Sequence, residues 1–194
     1  RDLQRFRDGT EVNVQRRAQQ HAGVPRLLVA LQSDLGFLDV DQAEGKTVLT
    51  HLASVSHPEP RMRLNDGRTD RAGRFLVGSL QLAPATPVGS LYQLQPTGEL
   101  RTLDQGVRVS NTLAFSPNGR QMYFADSLSH QIRRYAYDPQ TGQASGMQVF
   151  ADTTALGSGP DGAAVDAETA RALGAGAADP GGNVLAGWPD VHRP

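Results

Sequence analysis

Two stretches of the sequence decide the fold: RLNDGRTDRAGRFLV at residues 63–77 and SNTLAFSPNGRQMYF at residues 110–124. In each stretch an Asn stands eight residues before the Gly of a tight turn, and an apolar run follows that turn. The two residues, Asn65 and Asn111, lie 46 positions apart. A repeat of about 40 to 50 residues is typical of propeller blades, each of which is an antiparallel sheet. The sequence therefore predicts an all-β fold, a partial β-propeller of antiparallel four-stranded blades.

The pattern extends in both directions from these stretches. A third copy begins at Asp161, 50 residues after Asn111, and fails at Thr169, where the turn Gly is due. Between turn signals lie short apolar runs of strand length, at residues 27–32, 75–80, 90–94, 112–116, 121–125 and 132–137. The spacing of these runs predicts consecutive antiparallel strands.

The two ends of the chain do not follow the pattern. Residues 1–26 are predicted to be an irregular remnant of an early blade, residues 27–168 the middle blades, and residues 169–194 a ragged tail rich in Ala, Gly and Pro. The only plausible helices are residues 11–20 and 166–173, neither of which has a clean apolar stripe. For the tail, two explanations stay open: disorder, and a shifted frame or truncated gene that replaces later blades.

Composition and charge exclude several classes of function. The 194 residues include 19 Lys and Arg and 20 Asp and Glu, and a net charge of −1 gives no electrostatic drive toward nucleic acid or an acidic membrane. The absence of cysteine excludes disulfides, thiolate metal sites and cysteine nucleophiles. No apolar run approaches membrane-spanning length. We therefore expect a soluble cytoplasmic protein with no nucleic-acid or membrane partner, an N-terminus that looks cut, and an oligomeric state that stays open.

A polar residue stands at the equivalent point of each repeat: Asn65, Asn111 and Asp161. Equivalent positions on radially arranged blades converge on one axial opening. Amide and carboxylate oxygens gathered there would suit a hard divalent cation. The alternative is that Asn-Gly and Asp-Gly pairs simply form turns. From the residues alone, both interpretations stay open.

Six segments in order, at residues 63–75, 89–92, 109–116, 125–127, 137–142 and 159–162, resemble the SMP-30/gluconolactonase/LRE-like family. The most specific motifs are Arg63-x-Asn65-Asp66-Gly67, Ser110-Asn111 and Pro160-Asp161-Gly162. The resemblance covers about residues 25–166 and implies the middle blades of a six-bladed propeller.

This resemblance implies a metal-dependent hydrolase of sugar lactones, with aldonolactones such as gluconolactone among the substrates. It implies one divalent cation (Ca²⁺, Zn²⁺, Mn²⁺ or Mg²⁺), with Asn111 and Asp161 as metal ligands. Arg63 and Asn65 correspond to residues that contact the substrate. Asp161 is the candidate catalytic base, which would take a proton from a water while the cation polarises the lactone carbonyl.

Two departures from the family pattern qualify the activity expected of this chain. A first-blade Glu that completes the family's ligand set has no identifiable counterpart, since Glu11 is not in the right context. Thr112 stands where the family has Gly, beside Asn111. The motif residues favour an enzyme, whereas the missing Glu favours a non-catalytic propeller that serves as a binding or scaffold module.

Overall fold

Antiparallel strands account for nearly all of the regular structure. The computed structural model describes residues 4–5, 11–21, 24–41, 45–165, 171–176 and 185–190, with side chains for residues 26–41 and 45–165. The strands are β1 Gln4–Arg5, β2 Glu11–His21, β3 Val24–Ala30, β4 Asp34–Asp41, β5 Lys46–Ser54, β6 Met62–Thr69, β7 Phe75–Gln81, β8 Gly89–Leu94, β9 Leu100–Val107, β10 Ser110–Phe115, β11 Gln121–Asp126, β12 Gln131–Tyr137, β13 Ala144–Asp152, β14 Pro160–Val165, β15 Arg171–Gly176 and β16 Leu185–Asp190.

These strands form four sheets in which neighbours in sequence are neighbours in space. The first sheet is β1-β2-β3-β4-β5, the second β6-β7-β8-β9, the third β10-β11-β12-β13 and the fourth β14-β15-β16. Every pairing is antiparallel. The second and third sheets are the predicted four-stranded blades, and the partial β-propeller is confirmed.

Burial follows the position of a strand within its sheet. Every residue of β7 and β8 is buried, because neighbouring sheets cover both faces of the second sheet. The last strand of the first sheet, β5, and the last strand of the third sheet, β13, are largely exposed. One apolar cluster joins the first and second sheets through Leu35 and Phe75, and another joins the second and third through Leu91 and Phe124. The sheets therefore pack face to face, and each buries its neighbour's apolar side chains.

The structure agrees with most of the predicted strands and differs at both ends of the chain. Each predicted run from residue 27 to residue 137 overlaps a strand, from β3 to β12. The helix predicted at residues 11–20 is wrong, because β2 pairs there with the apolar strand β3 and this pairing overrides local preference. Of the second predicted helix, residues 166–170 lie outside the described part of the chain and β15 begins at Arg171.

The last part of the chain differs from the expected tail without strands. Strands β15 and β16 pair there and extend the sheet that begins with β14. Small residues such as Ala and Gly carry little strand signal, but ladder hydrogen bonds need only the backbone. The division of the chain into three parts stays a prediction. Among the residues that the structure describes, no helix has both the length and the apolar character needed to cross a membrane.

Candidate functional site

The predicted site residues lie near the beginnings of three strands that open successive sheets. Arg63 and Asn65 are in β6, Asn111 is the second residue of β10, and Asp161 is the second residue of β14. Strand β10 lies against both β6 and β14. The topology thus brings the equivalent ends of the three repeats together.

Each of these strands carries an irregularity in pairing at the site. The register shifts between Leu64 and Gly67 in β6, between Asn111 and Ala114 in β10, and between Pro160 and Ala163 in β14. Bulges of this kind turn side chains out of the regular alternation and are frequent beside active sites. Apart from the Gly residues that follow Asp66 and Asp161, no residue pattern indicates these bulges.

Asn65 connects Arg63 to the third sheet. The Arg63 guanidinium donates to the Asn65 side-chain oxygen and to the Leu64 carbonyl, both at 3.0 Å. The Asn65 amide in turn donates to the Ser110 carbonyl at 2.7 Å. Both side chains are half-buried. The Arg63 guanidinium is therefore held at the boundary between the second and third sheets.

Asn111 is connected to the fourth sheet through a serine. The Asn111 side chain is buried at 8% exposure, and its NH₂ group donates to the Ser127 hydroxyl at 2.9 Å. That hydroxyl donates to the Pro160 carbonyl at 2.6 Å, one residue before Asp161. Because the nitrogen is engaged, the amide oxygen is the atom that Asn111 offers to a ligand.

Thr112 makes a second connection to the same strand. Its hydroxyl donates to the backbone carbonyl of Asp161, and its φ of 59° is in the left-handed region. The next backbone N–H, of Leu113, donates to the Asp66 carboxylate at 3.1 Å. From the sequence, Thr112 is only a departure from the family pattern, and Ser127 and Asp66 have no predicted role. The Asn-Asp-Gly and Ala-Asp-Ser motifs were the only signals that could have indicated the last two residues.

The donors present suit a hard divalent cation in kind. Asn111 offers an amide oxygen and Asp161 a half-buried carboxylate, and Ca²⁺, Mg²⁺ and Mn²⁺ prefer such oxygen ligands. Within the described residues no group of three or more His, Asp or Glu side chains is placed to hold a metal ion. Glu11 lies in β2, of which only the backbone is described. The roles assigned to Arg63, Asn65, Asn111 and Asp161 stay predictions.

Comparison with known proteins bears on the same part of the chain. A family model for the SMP-30/gluconolactonase/LRE-like region matches residues 5–173. An L-arabinolactonase from Azospirillum brasilense is 36% identical over 143 residues, which are 72% of this chain and 46% of that protein. A regucalcin from Macaca fascicularis is 36% identical over 122 residues, or 60% of this chain and 41% of that one. The chain thus spans less than half the length of these curated relatives.

The fold of this chain is also similar to that of solved structures. A calcium-binding protein, regucalcin, from Agrobacterium tumefaciens superposes with a TM-score of 0.67 at 32% identity, over 78% of this chain and 50% of that one. The Dos1 propeller superposes with a TM-score of 0.56 at 12% identity, over 78% of this chain and 40% of that one, which supports the fold alone.

Proposed function

Because the chain belongs to the SMP-30/gluconolactonase/LRE-like family, we propose that it carries part of the active site of a metal-dependent hydrolase of sugar lactones. Aldonolactones such as gluconolactone are the proposed substrates, and the name of the similar L-arabinolactonase supports this class. The observation that carries the proposal is the set of hydrogen bonds donated by side chains that links the Asn65, Asn111 and Asp161 regions of three adjacent strands.

Arg63 and Asn65 are the proposed substrate contacts. A guanidinium presents several N–H donors in one plane, which suits the hydroxyl groups and ring oxygen of a lactone. The contact between Arg63 and Asn65 limits the freedom of the arginine side chain, so less conformational entropy is lost when substrate binds.

Asn111 and Asp161 are the proposed ligands of one divalent cation, which is Ca²⁺, Zn²⁺, Mn²⁺ or Mg²⁺. A bound cation supplies Lewis acidity toward the lactone carbonyl. The Asp161 carboxylate accepts a proton from water as the water oxygen bonds to the carbonyl carbon. The ring C–O bond then breaks, the departing oxygen takes a proton, and the product is the open hydroxy acid.

We expect both the cation affinity and the turnover to be low. Ca²⁺ affinity rises with the number of charged ligands, and Asp161 is the only carboxylate assigned to the site. The family's first-blade Glu has no identifiable counterpart in the sequence, which favours the second candidate, a non-catalytic propeller that serves as a binding or scaffold module. A cytoplasmic location, without nucleic-acid or membrane partners, stays a prediction from composition.

Cation titration by calorimetry and pH-stat hydrolysis of gluconolactone, corrected for its spontaneous rate, test the proposal. We expect the unsubstituted chain to bind the cation weakly and to hydrolyse the lactone slowly. Arg63→Ala should raise KM by about tenfold, the loss of one or two hydrogen bonds, and leave cation affinity intact because a guanidinium is no metal ligand. Arg71→Ala, at an exposed position in the turn between β6 and β7, is the matched control.

The outcomes separate the two candidates. Turnover that requires the cation and weakens with Arg63→Ala supports the lactonase. Equal loss of cation binding and substrate binding in Arg63→Ala indicates misfolding and contradicts the assigned contact. Neither cation binding nor hydrolysis above the spontaneous rate in the unsubstituted chain favours the binding module.

A further inference from the structure

Thr112 has an unusual backbone conformation for its residue type. Among the residues whose side chains are described, three that are not glycine have positive φ: Arg61, Thr112 and His130. Arg61 is in a turn and His130 ends a 3₁₀ turn, whereas Thr112 lies inside strand β10. A β-branched residue in the left-handed region is a genuine outlier, and such strain persists only where surrounding contacts enforce it.

The contacts that enforce it come from both neighbouring sheets. The Thr112 side chain, at 2% exposure, donates its hydroxyl to the Asp161 carbonyl in β14. On the other side, the Asp66 carboxylate in β6 accepts the N–H of Leu113. Thr112 therefore lies in the β10 bulge and contacts the β14 bulge directly, so that two irregular segments are joined at one point.

The bond made by Thr112 complements the one made by Asn111. Asn111 reaches the Pro160 carbonyl through Ser127, and Thr112 reaches the following carbonyl, that of Asp161. Two consecutive carbonyls of β14 thus accept hydrogen bonds, one from Ser127, which Asn111 contacts, and one from Thr112 itself. This arrangement fixes the backbone of Asp161 relative to that of Asn111, the two residues proposed to share a ligand.

We propose that Thr112 is a positioning residue, whose hydroxyl holds Asp161 at the separation from Asn111 that cation binding and hydrolysis need. The catalytic part of this inference rests on the proposed function, whereas the contact between Thr112 and Asp161 does not. Displacement of a reacting group by about an ångström is enough to slow catalysis by up to about a hundredfold. A single hydroxyl between two bulged strands is placed to prevent such a displacement.

The test compares Thr112→Val, which removes the hydroxyl and keeps the shape, with Thr112→Ser, which keeps the hydroxyl. Thr153→Val is the matched control, because Thr153 is equally buried and also donates its hydroxyl to a backbone carbonyl, that of His130. Three quantities are measured: kcat and KM for gluconolactone, cation affinity by calorimetry, and backbone hydrogen exchange at Gly162 and Ala163.

For Thr112→Val we expect kcat to fall by about tenfold to a hundredfold, with KM changed by less than about threefold. Cation affinity should fall and exchange at Gly162 and Ala163 should accelerate. Thr112→Ser keeps the hydroxyl, so all three quantities should stay close to those of the unsubstituted chain. Thr153→Val should change none of them. Thr112→Gly also removes the hydroxyl, and glycine adopts a positive φ without strain. If the valine variant does not fold, Thr112→Gly is compared with Thr112→Ser instead.

Unchanged exchange and cation affinity in both Thr112→Val and Thr112→Gly would overturn the inference. So would a Thr112→Ser variant as impaired as Thr112→Val, because the hydroxyl would then not be the group that matters. An unsubstituted chain without lactone hydrolysis would contradict the proposed function. In that case the exchange measurement still decides whether the Thr112 hydroxyl holds Asp161.

Discussion

Asp161 combines two interactions that act on different parts of the residue. Its backbone carbonyl accepts the Thr112 hydroxyl, and its half-buried side chain is the carboxylate assigned to the cation. The first interaction fixes the position of the residue and the second would supply negative charge. Substitution of the side chain therefore removes charge and leaves the backbone contact in place.

At the residue scale we predict that Asp161→Ala lowers cation affinity by at least about tenfold, because one formal charge is lost from a site with few ligands. Asp161→Asn keeps an oxygen donor without the charge, so its affinity should be intermediate. Asp152→Asn is the control, because Asp152 is an exposed carboxylate whose pKa is lowered by hydrogen bonds from Thr154. Calorimetric titration with Ca²⁺, Zn²⁺ and Mn²⁺ measures all three variants.

An affinity in Asp161→Ala equal to that of the unsubstituted chain would remove Asp161 from the metal site. Tight binding in the unsubstituted chain would instead mean that a further carboxylate completes the ligand set, most simply a Glu in the first 25 residues.

At the scale of elements, a buried ion pair joins the second and third sheets. Asp70, in the turn after β6, accepts hydrogen bonds from Arg74 and from the Tyr137 hydroxyl, each at 2.7 Å. Arg74 also donates to the backbone carbonyls of Pro139 and Gln140, in the turn after β12. The Asp70 and Arg74 side chains are 3% and 8% exposed. The charges are therefore paired and hydrogen-bonded out of contact with water.

We predict that Asp70→Ala lowers the free energy of unfolding by about 3–5 kcal/mol, because the Arg74 charge stays buried without its carboxylate partner. Glu99→Ala breaks a comparable pair with Arg101, whose side chains are about half exposed, and should leave the urea midpoint almost unchanged. Urea unfolding at neutral pH measures both variants. Similar midpoints for the two would contradict a stabilising role for the buried pair.

At the scale of the whole molecule, the sequence predicts the sheet that each repeat forms but not the contacts between sheets of different repeats. The spacing of Asn65, Asn111 and Asp161 predicts successive sheets, because each repeat is one sheet and its local pattern suffices. Strand β2 was missed because its polar residues depend on pairing with β3. The positive φ of Thr112 and the Ser127 bridge depend on contacts with β14, which follows both residues by at most about 50 positions. The residues around Thr112 and Ser127 do not indicate these contacts. The predicted site residues were identified by motif, whereas the contacts between them needed the structure.

Two tyrosines of β12, in the third sheet, donate hydrogen bonds to carboxylates of the second sheet and of its first turn. Tyr137 donates to Asp70 at 2.7 Å and Tyr135 donates to the Asp104 carboxylate at 2.6 Å. Burial, and then the hydrogen bond to the neighbouring carboxylate, raise the pKa of each hydroxyl well above its ordinary value of 10.0. The protonated tyrosines are therefore bonded in the folded state, and ionisation would place a phenolate against a carboxylate.

We predict that the chain loses stability as the pH rises above about 10, where tyrosines of the unfolded state ionise and folded Tyr135 and Tyr137 do not. Because the folded pKa is the higher one, this stabilisation is complete below the unfolded pKa and is lost progressively above it. Tyr135→Phe/Tyr137→Phe should be less stable at pH 8 and should show a shallower decline above pH 10. Tyr123→Phe is the control, since that hydroxyl bonds to the neutral Gln121 side chain, and it should change the slope less. Urea midpoints measured from pH 7 to pH 11 provide the comparison, and parallel curves for the double variant and the unsubstituted chain would contradict the role given to the two tyrosines.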